Sequence, residues 1–306
     1  MKSLLQTKEW AGFRVSQGWQ AHEIDGIFVL ERELPFGKSF LYAPEVEWNT
    51  ITKYENFYEN TKKIAEKSHS IFFRLEILDE FDEKIIENLK KFGFIKAFEE
   101  LQPEYRQVID ISKSEEEILA QMKEKGRYNI RVSMKHGCKS EIRNPKSEMD
   151  TFYSLFKETS GRDGFSIRPK SYFEKMFEIL GDAVELLAVR FQGKIIAAEI
   201  VSYYQGTASY LYGASSSEFR NVMAPYLLHF EAIKRAKEKG CKFYDLLAVD
   251  PVTSDQLPDT SHKYAGIGRF KRQFGGKTVR IVGGYDLVFK PTWYRLFKFA
   301  ERYRRK

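Results

Sequence analysis

Apolar and polar positions in the first third of the chain alternate between two periods. Phe28, Leu30 and Phe40 lie in stretches with near two-residue spacing, which is typical of strands with one buried face. Between such stretches, the segment 50–67 brings aromatic residues such as Phe57 to one helical face. The pattern predicts strands over 22–35, 38–48, 70–77 and 105–111, and helices over 50–67 and 82–94.

A second series of elements begins with a capping box. Ser112 or Ser114, each followed three residues later by glutamate, predicts a helix start, and we expect that helix to reach about His136 before Gly137 ends it. A hairpin is predicted to turn at 192–193. The other predicted elements are strands over 138–143, 184–204 (the hairpin), 207–215, 243–249 and 279–289, and helices over 147–159, 170–180, 222–239 and 291–306.

The two halves of the chain repeat one order of elements, with strands in pairs followed by helical crossovers. This order predicts an α/β (α+β) protein with mixed sheets flanked by helices. It looks like a duplicated acyltransferase module, although no residue-level repeat is visible. Because no low-complexity linker occurs, we expect the halves to pack tightly with a cleft between them.

Composition excludes several classes of protein. Of the 306 residues, 42% are hydrophobic, 30% are charged and 15% are aromatic, which rules out a disordered chain. No apolar run approaches the ~20 residues that span a bilayer, and MKSLLQTKEW lacks the apolar core of a secretory signal. Two cysteines in unrelated settings, Cys138 and Cys241, argue against a disulfide framework or a zinc site and favour a reducing cytoplasm.

The net charge of the chain is +7, but the charged residues are distributed unevenly along the sequence. Residues 262–306 carry thirteen Lys and Arg against Asp286 and Glu301, a net charge of +11, which leaves −4 for the other 261 residues. Such a basic end predicts a polyanionic partner: RNA, a phosphorylated small molecule or an anionic membrane surface. Apolar and glycine residues interleave the charges between Arg269 and Arg280, which favours a folded basic surface there.

A second basic feature lies in the helix predicted after Ser114. Lys123, Arg127, Arg131 and Lys135 recur every four residues, and like charges at this spacing destabilise a helix. An anionic partner would offset that cost, but a solvated helix face explains the charges equally well.

Motifs for several kinds of catalysis are missing from the sequence. It contains no G-x-S-x-G, P-loop, H-E-x-x-H or C-x-x-C, and its five histidines are scattered. The segment 210–240 compares with the acetyl-CoA site of N-acetyltransferases, where a glycine-rich turn at a helix N-terminus wraps the pyrophosphate. Here that turn is RNVMAP, in which Met223 crowds the loop and Pro225 lacks an amide donor. We therefore expect the grip on CoA to be lost.

Several segments, spread over nearly the whole chain, form one recognisable series. They are WAGFRVSQGWQ, LQPEYRQVIDIS, KGRYNIRVSMKHG, RPKSYFEKM, YLYGASSSEFRNVMAPYLLHFEAIKRAKEKGCKFYDL and FKRQFGGKTVRIVGGYDLVFKPTWYRL. Together they resemble the FemABX family, the peptidoglycan bridge-forming aminoacyltransferases, in the family's order. Because AVRFQGKIIAAEI runs straight through as a hairpin, the chain resembles the short members that lack a coiled-coil arm.

The resemblance implies two fused GNAT-like acyltransferase modules, one over 1–110 completed by the C-terminal helix 290–306, and one over 111–289. It implies transfer of an amino acid from aminoacyl-tRNA to the stem-peptide amine of a peptidoglycan precursor, either UDP-MurNAc-peptide or lipid-linked. Aminoacyl-tRNA is the co-substrate, and no cofactor or metal is implied. We expect a cytoplasmic monomer, with peripheral contact at the inner face of the plasma membrane as an open alternative.

Site residues follow from the same resemblance, position by position. Arg14, Arg168, Tyr172 and Tyr212 would bind the precursor: Arg14 stands where lysine is usual, Arg168 and Tyr172 match R-P-x-x-Y, and Tyr212 lies in the Y-x-Y-G strand. Glu76, in FRLE, stands where relatives have aspartate and would bind or orient the acceptor amine. A surface strand residue without such a role is the competing interpretation of Glu76.

The pair Phe270-Lys271 matches the family's site near the tRNA end and completes the predicted catalytic set with Glu76. An aminoacyl ester is already activated, so an amine can attack it without a covalent enzyme intermediate if both substrates are aligned and the oxyanion is stabilised. We assign Lys271 to that stabilisation, or to the terminal tRNA phosphates, rather than to general base catalysis. The residues predicted to contact tRNA are Arg127, Arg131, Lys135, Arg269 and Arg272.

Two other functions fit the same sequence. An acyl-CoA-dependent N-acyltransferase of this fold would label its acceptor from acetyl-CoA and would be insensitive to RNase. A non-catalytic protein that binds RNA or a membrane surface by charge would show steep salt dependence and no product.

Overall fold

The computed structural model describes residues 3–252, 258–259 and 261–304. The chain divides into two compact units: unit 1 contains Met1–Glu104 and Arg280–Lys306, and unit 2 contains Tyr105–Val279. These units differ from the predicted modules at both boundaries. Strand Tyr105–Asp110 pairs with Phe243–Ala248 and lies in unit 2, whereas residues 280–289 lie in unit 1. The last two residues of the predicted C-terminal helix lie outside the described part of the chain.

Unit 1 is built on a mixed sheet with the strand order β1-β2-β3-β4-β12, and β5 also pairs with β12. Only the β3–β4 pair among these is parallel. The strands are β1 (Gln20–Ile24), β2 (Ile27–Leu34), β3 (Lys38–Val46), β4 (Ser70–Glu80), β5 (Ile95–Lys96) and β12 (Lys277–Val288, of which 280–288 belong to this unit). The helices are α1 (Lys8–Ser16), α2 (Tyr54–Lys67), α3 (Glu83–Lys91) and α10 (Pro291–Arg304).

The stretch 22–35 forms the β1–β2 hairpin rather than one continuous strand. Asp25 and Gly26 both have positive φ, 52° and 80°, as a two-residue type I′ turn requires. The core of unit 1 lies on both faces of the sheet. Phe73 of β4 faces the side covered by α2 and α3, whereas Phe72 faces Tyr294 of α10.

Unit 2 is built on a mixed sheet with the strand order β6-β11-β10-β9-β8-β7, in which only the β10–β11 pair is parallel. The strands are β6 (Tyr105–Asp110), β7 (Lys139–Arg143), β8 (Val184–Phe191), β9 (Lys194–Tyr204), β10 (Thr207–Ser215) and β11 (Phe243–Ala248). The helices are α4 (Glu115–Gln121), α5 (Glu124–Lys135), α6 (Pro145–Asp163), α7 (Lys170–Leu180), α8 (Ala224–Glu238) and α9 (Ala265–Lys271).

The single helix predicted from Ser114 to His136 is wrong, because two helices occupy this stretch. The capping box is confirmed at the start of α4, where Ser114 and Glu117 bond reciprocally. Met122 and Lys123 then adopt extended backbone and separate α4 from α5. Met122 is buried and the Lys123 N–H donates to the Gln273 carbonyl at 3.0 Å, so tertiary packing outweighs helix propensity here.

Both units repeat one arrangement, in which antiparallel strands lead to a parallel pair joined through a helix. In unit 1 the parallel pair is β3–α2–β4, and in unit 2 it is β10–α8–β11. The predicted α/β (α+β) class, with mixed sheets flanked by helices, is confirmed, as is the hairpin turning at 192–193. Across the described residues, we find no helix with the length and apolar character needed to traverse a bilayer.

Candidate active site

The parallel strands β10 and β11 of unit 2 pair over a short distance and then diverge. Residues 207–209 lie opposite 243–245, and β10 bulges immediately afterwards. β11 bends at Leu247, whose φ is 56° and whose N–H donates to Asp245 Oδ1 at 2.7 Å. The two strands do not pair with each other beyond residues 209 and 245, and we call this unpaired gap the opening.

Lys271, the last residue of α9, bridges this opening. Its Nζ donates to the Ala248 carbonyl on β11 at 2.8 Å and lies 5.5 Å from the ring centroid of Tyr210 on β10. The residue is only 4% exposed, and burial lowers the pKa of Lys271 to about 8, with Asp245 acting in the opposite direction. A desolvated ammonium group therefore persists at neutral pH between the strands.

A buried polar cluster lies behind Tyr210. The Tyr210 and His229 rings have centroids 4.6 Å apart, and His229 Nδ1 lies 3.0 Å from Glu199 Oε2. Tyr244 donates to the other Glu199 oxygen at 3.4 Å. Burial raises the pKa of Glu199 to about 8, and burial with the Lys271 charge lowers the pKa of His229 to about 3. Both groups are neutral at pH 7, and within the described residues Glu199 Oε2 and His229 Nδ1 are buried close together without forming a hydrogen bond.

Phe270 packs rather than facing the opening. Its ring contacts Tyr226, His229 and Phe274 at centroid distances of 5.1, 5.5 and 5.3 Å. These contacts fix α9 against α8 and thereby set the position of Lys271. The geometry makes Phe270 a positioning residue for its neighbour.

Arg272, predicted from the sequence to contact tRNA, is instead paired with a carboxylate inside unit 2. Its guanidinium donates to Asp250 Oδ1 at 2.7 Å and to the Asp250 carbonyl at 2.8 Å, and the side chain is 10% exposed. A cation held in this way fixes the turn after Lys271 and is not presented to a polyanion. A second buried pair, Arg106 with Asp245 at 3.1 Å, holds the carboxylate that supports the bend in β11.

The start of α8 offers little to an anion. Met223 occupies the N-cap with a φ of 55°, Pro225 has no N–H, and the Tyr226 N–H donates to the Met223 carbonyl at 3.0 Å. Free amide donors at a helix N-terminus are what a pyrophosphate requires. This geometry agrees with the expectation that CoA is not gripped here.

Three of the predicted precursor-binding residues come together in unit 2. The Tyr172 and Tyr212 hydroxyls lie 3.2 Å apart, and the Arg168 guanidinium carbon lies 5.6 Å from the Tyr172 ring centroid. Phe173 packs at right angles to Tyr212, which holds the pair in place, while Arg168 is exposed. An exposed arginine beside two phenols suits a phosphate or carboxylate ligand.

The basic helix α5 packs against the turn that follows Lys271. A Cβ on Gly126 would lie 2.5 Å from the Gln273 carbonyl oxygen, so glycine permits this close approach. Arg131 and Lys135 are exposed, as is Arg269 on α9. By contrast, Arg127 is half-buried and donates to the Met122 carbonyl at the helix break.

In unit 1, Glu76 is deeply buried, so the interpretation of a surface strand residue is wrong. It is 2% exposed on β4, accepts a hydrogen bond from the Tyr42 hydroxyl, and accepts another from the Gln102 N–H at 3.0 Å. Burial raises the pKa of Glu76 to about 7, with Tyr42 and Gln102 acting in the opposite direction. This carboxyl can exchange a proton near neutral pH.

Arg14 lies at the end of α1, also in unit 1. Its guanidinium carbon is 4.3 Å from the Trp19 ring centroid, and Arg32 approaches the same ring at 5.6 Å. The indole thus lies within cation–π distance of two guanidinium groups, and guanidinium groups suit phosphate ligands.

Comparison with known proteins identifies the family to which the chain belongs. A model of the FemAB family matches residues 63–194 and 189–302. The chain belongs to the FemAB family. The lipid II:glycine glycyltransferase of Staphylococcus haemolyticus (strain JCSC1435) is 25% identical over 96% of this chain and 90% of its own length.

Solved structures show the same fold. The crystal structure of FemX has a TM-score of 0.84 at 22% identity and covers 96% of this chain and 94% of its own. A tandem GNAT protein from the clavulanic acid biosynthesis pathway has a TM-score of 0.53 at 9% identity, over 86% of this chain and 78% of its own. The resemblance to the FemABX family and the fold of GNAT-like modules are confirmed.

The FemAB chain described here is a short one. Its alignment with the glycyltransferase spans 383 residues, more than the 306 of this chain, so the relative carries insertions. Between β8 and β9 this chain has only the two-residue turn at 192–193. Within the described ranges, no group of three or more His, Cys, Asp or Glu is placed to hold a metal ion.

Sequence reasoning missed part of the candidate site. Tyr210 and Asp245 lie inside the segments that resemble the family, and His229 was one of five scattered histidines. Glu199 was detectable as a lone charge within the apolar strand IIAAEIV, because a charge in a buried strand requires partners. Gly213 leaves room for the Tyr210 side chain, because a Cβ at position 213 would lie 2.0 Å from the Tyr210 hydroxyl oxygen.

Proposed function

We propose that this protein is an aminoacyltransferase that moves an amino acid from aminoacyl-tRNA to the stem-peptide amine of a peptidoglycan precursor and so builds the interpeptide bridge. The observation that carries the proposal is the buried Lys271 ammonium between diverging strands, next to a helix start that does not suit CoA. Similarity to lipid II:glycine glycyltransferases supports this reaction class and a lipid II-type acceptor. Aminoacyl-tRNA serves as co-substrate, and the reaction needs no further cofactor.

In the proposed reaction, the stem-peptide amine attacks the ester carbonyl carbon of aminoacyl-tRNA. The new C–N bond forms, the ester C–O bond breaks, the amine gives up a proton, and the ribose hydroxyl of the tRNA leaves with one. The Lys271 ammonium stabilises the oxyanion that develops on the carbonyl oxygen, and its desolvation strengthens this interaction. The catalytic requirement is otherwise alignment of the two substrates.

Acceptor binding falls to the two arginine–aromatic groups. Arg168 with Tyr172 and Tyr212 binds an acidic group of the precursor, and Arg14 binds its diphosphate. Glu76 orients the acceptor amine, and a pKa of about 7 allows it to take up the amine proton at neutral pH.

The donor tRNA is proposed to lie along the exposed cations of unit 2. Arg131, Lys135 and Arg269 supply phosphate contacts, while Arg127 and Arg272 are engaged within the protein and contribute through the positions they fix. We place the reaction in the cytoplasm, where aminoacyl-tRNA is made, and treat the protein as a monomer.

One incubation tests the proposal against its rivals. The protein is mixed with UDP-MurNAc-peptide or lipid II, total aminoacyl-tRNA and acetyl-CoA, and the acceptor is then weighed by mass spectrometry. We expect a gain of one amino-acid residue mass that RNase abolishes. An acetyl increment, or an unchanged acceptor with both precursors, contradicts the proposal.

A further inference from the structure

A cluster of exposed apolar and basic side chains on unit 1 consists of residues that have no role in the proposed reaction. Phe36, in the turn between β2 and β3, is 82% exposed, and its ring centroid lies 5.9 Å from that of Trp293 at the start of α10. Lys38 Nζ lies 5.3 Å from the same indole centroid. The hairpin tip and the helix start thus form one continuous surface.

Helix α10 extends this surface because it has two apolar sides. Tyr294 and Phe297 pack against Phe72 in the core of unit 1. Three and six residues after Trp293, Leu296 is 56% exposed and Phe299 is 63% exposed. At 100° per residue, Leu296 and Phe299 lie on the side of the helix away from Tyr294, whereas Trp293 is half-buried and also packs against the core.

Cations surround the apolar side chains. Arg295 and Arg302 are exposed on α10, and Lys290 lies just before the helix. Burial, and then the Lys38 charge, lower the pKa of the Lys290 ammonium, and Lys38 Nζ also lies against the Trp293 indole. Clustered like charges next to exposed aromatic rings require a partner that is both anionic and apolar.

We propose that this hairpin–helix face, formed by Phe36, Lys38, Lys290, Trp293, Leu296 and Phe299, docks the protein on an anionic phospholipid bilayer. Aromatic and leucine side chains enter the boundary between headgroups and acyl chains, while lysine and arginine pair with anionic headgroups. RNA matches the charge but not the face as a whole, because a leucine offers no ring on which a base can stack. The helix lies on the bilayer and does not span it.

Docking on a bilayer would present unit 1 to an acceptor that is itself lipid-linked. That consequence rests on the proposed function, whereas docking itself does not. The two are therefore tested by separate measurements.

The docking test is flotation of the full chain with vesicles of phosphatidylcholine alone or mixed in equal parts with phosphatidylglycerol. We expect binding to the anionic vesicles to exceed binding to neutral ones by about tenfold or more, and to weaken with salt. The triple variant Phe36→Ser, Leu296→Ser, Phe299→Ser should lose about tenfold in vesicle binding. A matched control replaces Val15, Ile95 and Ile142, which are 49%, 49% and 50% exposed, by serine and should bind like the wild type.

Several outcomes overturn the proposal. The wild type does not float with anionic vesicles, the triple variant floats as well as the control, or the triple variant loses tRNA binding while vesicle binding is unchanged. Circular dichroism and melting temperature verify that each variant is folded. The triple variant and the control should transfer an amino acid to soluble UDP-MurNAc-peptide at equal rates. If the wild type binds anionic vesicles but transfers no amino acid, the proposed function is refuted and the proposal of a docking face is not affected.

Discussion

The two units use the same parallel strand pair in opposite ways. In unit 1, β3 and β4 remain paired from Ser39–Ser70 to Val46–Ile77, with local irregularities. In unit 2, β10 and β11 pair over 207–209 and 243–245 only, and then separate around a bend and a bulge. One arrangement of strands thus yields a continuous ladder in one unit and an opening in the other.

Each strand pair has a buried ionisable group beside it, Glu76 in unit 1 and Lys271 in unit 2. Glu76 and Lys271 are both buried, and burial moves their pKa values toward each other, up to about 7 for the acid and down to about 8 for the base. Two donors, Tyr42 and Gln102, satisfy Glu76 within the closed sheet. Lys271 instead bonds to the Ala248 carbonyl, where β10 and β11 no longer pair with each other. Strand separation, more than the shift in pKa, is the reason we propose this place as the reaction centre.

Of the substitutions considered, replacing Lys271 should have the largest effect on the rate of transfer. We expect Lys271→Met to lower kcat by about 10²–10³-fold, because it removes oxyanion stabilisation, and to leave the acceptor KM nearly unchanged. Steady-state transfer to UDP-MurNAc-peptide measures both constants. Lys242→Met, at an exposed lysine of the same unit, is the control and should behave like the wild type. A kcat close to that of the control would mean that the opening is not the reaction centre.

Replacing Arg168, the arginine proposed to bind the acceptor, should change KM rather than kcat. We expect Arg168→Ala to raise the acceptor KM by about 10-fold or more with little change in kcat, because a bidentate contact made in both ground and transition states is lost. Lys175→Ala, on helix α7 that begins two residues after Arg168, serves as the control. If Arg168→Ala and Lys271→Met changed both constants equally, the division of labour between binding and catalysis would be wrong.

Local patterns in the sequence were enough to predict the capping box at Ser114 and the turn at 192–193, because each depends on residues only a few positions apart. The grouping of Arg168 and Tyr172 with Tyr212, 40 positions after Tyr172, came from the family resemblance and not from any local pattern.

Features that depend on distant partners were not predictable. Arg272 resembled a solvent-facing cation until Asp250, 22 residues earlier, was placed beside it. Glu199 and His229 form a pair across 30 positions, and the helix break at Met122 depends on packing near Gln273. A single sequence specifies the charge and polarity of such residues but not the partners that decide whether they face solvent.

The exposed cations of α5 allow a smaller test of the site in unit 2. We expect Arg131→Ala with Lys135→Ala to raise the KM for aminoacyl-tRNA by about 5–10-fold at low salt, and to reduce the salt dependence of that KM. The acceptor KM should not change. Lys62→Ala with Lys63→Ala, on α2 of unit 1, is the matched control. An unchanged donor KM would assign these charges to a solvated helix face.

The last prediction concerns stability rather than activity, and it tests Glu76 in the closed sheet of unit 1. The folded protein holds the Glu76 proton more tightly than the unfolded chain, because the pKa rises from 4.5 to about 7. The free energy of unfolding should therefore fall as pH increases through this interval, by at most about 3 kcal/mol from this group. Glu76→Gln cannot ionise, so it should gain stability relative to the wild type between pH 5 and pH 8.

Urea denaturation of both proteins at the two pH values measures this difference, and other titrating groups cancel in the comparison. Glu83→Gln, an exposed glutamate on α3, should follow the wild type at both. Parallel behaviour of Glu76→Gln and the wild type would mean that the bonds from Tyr42 and Gln102 hold the carboxyl ionised despite burial. Glu76 would then be a fixed anion that can orient an amine but cannot take up its proton, and the proton would have to leave through the substrates themselves.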